Sequence, residues 1–191
     1  KEMARIGDQN RQLISYNDLP QVFIDALIAT EDSRFFQHNG LDIGRFLVAS
    51  LKQATGTNAG GASTITMQLV KNTYTNNVAE GIEGIIRKFT DIYLSIFKIE
   101  GKYSKESIME FYVNSPYLGS GCYGVSMAAN VYFDKNVNDL NLVEAAMLAG
   151  MFQAPGEYDP YVNPEKTNMR KNEVIDLMVR HGYLTENEAH Y

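Results

Sequence analysis

Apolar side chains recur along this chain at three- and four-residue intervals, and almost nowhere at intervals of two. Val22, Phe23, Ala26, Leu27 and Ala29 trace one helical face. Asp18-Leu19-Pro20 reads as its N-cap and first-turn proline, and Gly40 as its stop. Further helices are expected over residues 43–54, over 64–72 with Ser63 as cap, and over 85–100 as one long amphipathic run. Others follow over 105–113, capped by Ser104, and over 125–133, after the turn-rich stretch N-S-P-Y-L-G-S-G-C-Y-G. Asn141 with Glu144 and Thr185 with Glu188 have capping-box spacing, and Asn163-Pro164 opens a last long helix ending near Gly182. Internal repeats and low-complexity tracts are absent, so the pattern predicts a mainly α domain.

Composition narrows the class without changing that picture. A chain of 191 residues suits one domain, or one domain divided by a cleft, spanning 1–191. A net charge of −6 argues against the broad basic footprint that nucleic acid requires, so any anionic ligand must be met by a few local cations. The single cysteine, Cys122, excludes an internal disulfide. No apolar run approaches the ~20 residues of a spanning helix. The chain opens at Lys1 without an initiator Met and reads as a fragment whose upstream anchor lies outside it.

Three segments carry candidate chemistry. The first, A-T-E-D-S-R-F-F-Q-H-N-G (29–40), holds two adjacent carboxylates, Glu31 and Asp32. If the helix continues, Phe35 falls one turn beyond Glu31 and can wall its carboxylate from water, raising its pKa toward that of a general base. The plainer alternative is a solvated helix end, with Asp32 paired to Arg34 or capping a turn and His38 a hydrogen-bonded structural histidine. The second segment, G-T-N-A-G-G-A-S-T-I-T-M-Q-L-V-K-N (56–72), has the G-x-x-x-x-G spacing of a phosphate loop. Ala62 and Ser63 stand where such a loop needs Lys and Ser or Thr, and no strand precedes it. What remains is a mobile glycine loop before a helix bearing Gln68, Lys71 and Asn72. In the third, Arg87-Lys88-x-x-Asp91, the arginine and aspartate share a helix face as an ion pair at least. Lys71, Arg87 and Lys88 with a second carboxylate would suit a diphosphate beside an acid–base pair, provided they converge.

Taken in order, these residues resemble the peptidoglycan glycosyltransferases (glycosyltransferase family 51). These occur as monofunctional enzymes and as N-terminal halves of bifunctional penicillin-binding proteins. Glu31-Asp32-x-x-Phe35-x-x-His38-x-Gly40 resembles the family's first motif, and Gly61-Ala-Ser-Thr-Ile-Thr-x-Gln68-x-x-Lys71-Asn72 its second. Arg87-Lys88-x-x-Asp91 resembles the third, and Glu110-x-Tyr112-x-Asn114-x-x-Tyr117-x-Gly119-x-Gly121-x-x-Gly124 the fourth. Leu142-x-Glu144 through Gly150, then Gln153-Ala-Pro155, is similar to the fifth.

The resemblance implies a lysozyme-like head lobe, a smaller membrane-facing jaw lobe and a cleft between them. It implies polymerisation of lipid II into β-1,4-linked glycan strands. The N-acetylglucosamine 4-hydroxyl of one lipid II attacks, with inversion, a growing glycan strand held on undecaprenyl diphosphate. Glu31 is then the base and Asp91 the second carboxylate. Ser63, Gln68, Lys71, Asn72, Arg87, Lys88 and Tyr117 meet diphosphate and sugar. No tightly bound cofactor is implied, though a divalent ion, Mg or Mn, is a candidate partner of Asp91. The implied partners are the membrane lipid surface and the cell-wall synthesis machinery. The implied location is the extracytoplasmic face of the cell membrane, with an upstream transmembrane anchor.

Two departures qualify the match. The third motif usually ends in Glu, and Asp91 is one methylene shorter; Met67 stands where a first Gln is usual. The segment 79–84 also lengthens the spacing between second and third motifs, and Glu110 is an alternative acid. These departures keep open a weakly active glycan or lipid II binding domain. A helical fold with one catalytic Glu keeps open a lysozyme-like lytic enzyme, although glycan cleavage involves no diphosphate for the cations to meet.

Overall fold

The computed structural model describes residues 12–56, 61–75 and 81–190, and all its regular elements are helical. They are α1 (Gln21–Glu31), α2 (Ile43–Ala54), α3 (Ile65–Thr73), α4 (Gly81–Tyr93), α5 (Lys105–Asn114), α6 (Val125–Phe133), α7 (Leu142–Met151), α8 (Pro164–Arg180) and the short α9 (Glu186–Ala189). Among the described residues the sole β pairing is one antiparallel bridge between Tyr117 and Tyr123. The mainly α class read from the periodicity is therefore observed. No helix among the described residues is long and apolar enough to cross a membrane.

Local signals account for most boundaries. Both capping boxes form: Asn141 and Glu144 at the start of α7, and Thr185 and Glu188 at the start of α9, each satisfy two otherwise orphaned donors. Pro164 opens α8 at a position where its missing N–H costs nothing. Ser104 Oγ accepts Ser107 N–H at 3.3 Å as α5 begins. At α1 the expectation shifts by two residues. Asp18 belongs to a 3-10 turn (Tyr16–Asp18), where it accepts the Ser15 hydroxyl, and the first helical N–H groups bond the Pro20 carbonyl. The run expected over 85–100 also divides. Regular α4 ends at Tyr93 and the chain widens into a π-helical stretch (Leu94–Glu100).

The chain forms two compact units. The unit made by residues up to Thr30 and from Val113 onward packs α7 on α8, with Phe23 and Phe152 rings 6.3 Å apart. Gly150 permits that packing, because a Cβ there would lie 2.9 Å from Arg170 Cγ. In this unit Asn114 closes two hydrogen bonds on the Ile14 backbone. The other unit, Glu31–Tyr112, carries α2, α3, α4 and the π-helical stretch. Its core includes Phe35, Ile65, Met67, Val70, Ile108 and Met109, all at most 2% exposed. Gly40 is the pivot here. Its φ of +81° suits glycine, and a Cβ would meet the Ser95 carbonyl carbon at 2.9 Å. Its carbonyl accepts the Thr64 hydroxyl at 2.7 Å.

Candidate active site

Every candidate site residue of the first three motifs lies in the Glu31–Tyr112 unit. There the turn that follows Glu31 is fastened to the start of α3 by Asp32. Its fully buried carboxylate accepts the Ile65 N–H and the His38 Nε2–H, each at 3.0 Å, with the Arg45 guanidinium 3.8 Å away. A carboxylate on the first turn of α3 meets unpaired N–H groups and the positive end of the helix dipole. The choice between solvated end and structural support is thus decided for Asp32 and His38: both hold the turn. Arg34 pairs instead with Asp42. Burial alone would raise Asp42, but the Arg45 N–H and Arg34 outweigh it and hold its carboxyl below the usual range.

That junction delivers α3 to Glu31. Gln68 Nε2 donates to Glu31 Oε2 at 2.9 Å, and Gln68 Oε1 accepts the Tyr112 hydroxyl at 2.9 Å. Burial, and then the charges of Glu31 and Asp32, push the Tyr112 phenol well above its ordinary range, so it stays a protonated donor. Arg45 ties the same corner from α2. It donates to the Glu31 carbonyl at 3.3 Å and to the Gly61 carbonyl at 2.6 Å.

The cations do converge. Lys88 Nζ donates to Ser63 Oγ at 2.8 Å. Its pKa is lowered chiefly by burial, opposed by the charge of Asp91 and reinforced by repulsion from Lys71 and Arg87. Lys71, Arg87, Lys88 and Asp91 therefore share one electrostatic neighbourhood. Asp91 is only 4% exposed, and its Oδ1 accepts the Thr75 hydroxyl at 2.6 Å. It is a buried carboxylate held beside cations, not half of a solvated surface pair.

Some sequence expectations need correction. Thr64, not Ser63, caps α3, accepting the Met67 N–H at 3.1 Å; the Ser63 hydroxyl is engaged by Lys88 instead. Phe35 does not continue the face of Glu31, because α1 stops at Glu31 and a 3-10 turn (Phe35–Gln37) follows. Its ring is fully buried under the Lys105 ammonium, 4.3 Å from the centroid, and Lys105 in turn pairs with Glu100. Met67 is core at 2% exposed, so the departure at that position concerns packing. Asn72 lies exposed at the end of α3. Tyr117 belongs to the other unit, where its ring stacks at 5.2 Å on Tyr123. Most of the loop 56–61 and the first part of the 79–84 segment lie outside the described residues.

Among the described residues no group of three or more His, Cys, Asp or Glu side chains is arranged to hold an ion. Asp91 offers one carboxylate, already bonded to Thr75 and close to the Lys88 charge.

Comparison with known proteins agrees with the family that the motifs resemble. The family model described as Transglycosylase matches residues 1–179. Penicillin-binding protein 1A of Neisseria flavescens is 42% identical over 182 residues, covering 94% of this chain and 22% of that protein. Penicillin-binding protein 1A/1B of Bacillus subtilis is 39% identical over 192 residues, covering 98% of this chain and 20% of that protein. The chain thus spans about a fifth of the length of these curated relatives. The crystal structure of penicillin-binding protein 1A from Haemophilus influenzae shares the fold, with a TM-score of 0.57 and 23% identity over 98% of this chain and 18% of that one. A model match over nearly the whole length, with the residues of the first three motifs gathered in one unit, makes this chain a member of the transglycosylase family, the peptidoglycan glycosyltransferases.

Proposed function

We propose that the chain polymerises lipid II, with Glu31 as general base and the cations about Lys88 as the diphosphate site. One observation carries this reading. α3 and the residues just before it touch both halves of the chemistry, Gln68 bonding Glu31 and Ser63 bonding Lys88. Glu31 takes the proton of the acceptor N-acetylglucosamine 4-hydroxyl as its oxygen forms a bond to the anomeric carbon of the donor strand. The carbon–oxygen bond to undecaprenyl diphosphate breaks on the opposite face, giving the inverted β-1,4 linkage. Negative charge grows on the departing diphosphate, and Lys71, Arg87 and Lys88, the last held beforehand by Ser63, stabilise that charge. Ser63, Gln68, Asn72 and Tyr117 serve as substrate contacts. Asp91 acts through its charge beside these cations, and it is the carboxylate that would meet a Mg or Mn ion if one takes part.

The same unit offers a surface for the jaw role. Ile43, Leu47, Val48 and Leu51 on α2, and Ile82, Ile85, Ile86 and Phe89 on α4, are each more than half exposed. Two helices turning their apolar faces outward mark an interaction surface, and a lipid bilayer fits a lipid-linked substrate. The domain would then work at the extracytoplasmic face of the cell membrane, beside the cell-wall synthesis machinery.

Incubation with purified lipid II tests the reading. Glycan polymer with release of undecaprenyl diphosphate is expected. Retention of lipid II without polymer would show a binding domain, and muropeptide release from cell walls without lipid II consumption would show a lytic enzyme.

A further inference from the structure

We propose that Tyr112 is a positioning residue for this reaction, its hydroxyl holding the Gln68 amide from behind so that the amide N–H stays on the Glu31 carboxylate. The inference rests on the reading of Glu31 as the base. The three residues come from three separate elements, the end of α1, the middle of α3 and the last turn of α5, yet form one continuous chain of hydrogen bonds. Tyr112 is 2% exposed, so no solvent replaces its hydroxyl if that is removed.

The direction of the chain follows from donor and acceptor chemistry. An ionised carboxylate only accepts, so it takes the amide N–H and turns the amide oxygen toward Tyr112. The phenol stays protonated beside two carboxylates and can fill that oxygen. An amide gripped at both ends has one orientation. Gripped at one end it can rotate, bringing its oxygen toward the carboxylate or leaving the site. The N–H bond favours the ionised form of Glu31, the form able to accept a proton. Losing that bond raises the Glu31 pKa, so a smaller fraction of the enzyme carries a competent base at a given pH.

The test is Tyr112→Phe in the full chain, which removes one oxygen and keeps the ring. Expected are a fall of about tenfold in kcat for lipid II polymerisation, a KM within about twofold, and an acid limb of the kcat/KM profile moved to higher pH. In a Gln68→Ala background the same substitution should be nearly silent, because the route runs through Gln68. Wild-type kcat with an unmoved acid limb overturns the proposal, as does an equal fold-loss in the Gln68→Ala background. Should Tyr112→Phe melt well below wild type, Gln68→Leu carries the test. It is expected to move the acid limb upward, and an unmoved limb there is again fatal. Glu31→Gln measured in parallel separates the two levels. If it retains polymerisation the base assignment falls and the relay with it, whereas an inactive Glu31→Gln beside a fully active Tyr112→Phe removes the relay alone.

Discussion

Replacing Asp32 by alanine removes the acceptor of two buried donors, the Ile65 N–H and the His38 Nε2–H, and the counter-charge 3.8 Å from Arg45. Hydrogen bonds to a charged group contribute about 1.5–3 kcal/mol each, and a buried donor left unpaired costs about 1–3 kcal/mol. Overlap between these terms brings the sum to about 3–5 kcal/mol, the range found when one partner of a buried pair is removed. For a domain of this size 1 kcal/mol moves the midpoint by about 2–4 °C, so Asp32→Ala should melt about 10 °C below wild type. Asp32→Asn should fall between, since its oxygen still serves one donor while its amide N–H faces the other. Thermal melting followed by circular dichroism reads both. The Asp32 carboxylate also holds α3 where Gln68 reaches Glu31, so polymerisation should fall in Asp32→Ala even at temperatures where it is folded. An Asp32→Ala protein melting within about 2 °C of wild type would refute the idea that this carboxylate fastens the turn after Glu31 to α3.

Two further outcomes follow. Lys88 carries its charge only below a pKa that burial and neighbouring cations hold under the ordinary lysine value, so the KM for lipid II should rise on the alkaline side before a solvated lysine would titrate. Lys88→Arg should push that rise to higher pH, and a wild-type KM that stays flat until solvated lysines titrate would contradict the diphosphate role. Gly40→Ala should cost about 2–4 kcal/mol in urea unfolding, combining a positive φ with a Cβ driven into the Ser95 backbone, and a cost under about 0.5 kcal/mol would contradict the close approach.

What could be read from the sequence was mostly what is local. Periodicity and caps placed α2, α6, α7 and α8 because those signals sit within a turn or two of the structure they specify. The cap of α3 went to the wrong hydroxyl because Ser63 and Thr64 are equally able to cap, and a lysine on α4 decides between them. The division of 85–100 into an α and a π segment has no counterpart in the hydrophobic period. Phe35 was expected beside Glu31 by extending a helix that Asp32 in fact ends. The motif order supplied the site residues, but not their contacts. Gln68 lies 37 positions from Glu31 and 44 from Tyr112, separations at which one sequence carries no information on pairing. Tyr112 was visible as a motif residue without a role, Arg45 had no signal beyond being polar among apolar neighbours, and Thr75 lies in a polar run that marks no single residue.

The central claim is that the Glu31 carboxylate removes the proton of the attacking sugar hydroxyl. Glu31→Gln keeps the size and much of the polarity of the side chain and removes only its capacity as a base. The direct measurement is its rate of polymer formation from purified lipid II, beside its melting curve. A positioned general base contributes about 10²–10⁴ in rate, so the expected result is a loss of at least a hundredfold with a melting temperature near wild type. Polymerisation within a few-fold of wild type would contradict the account.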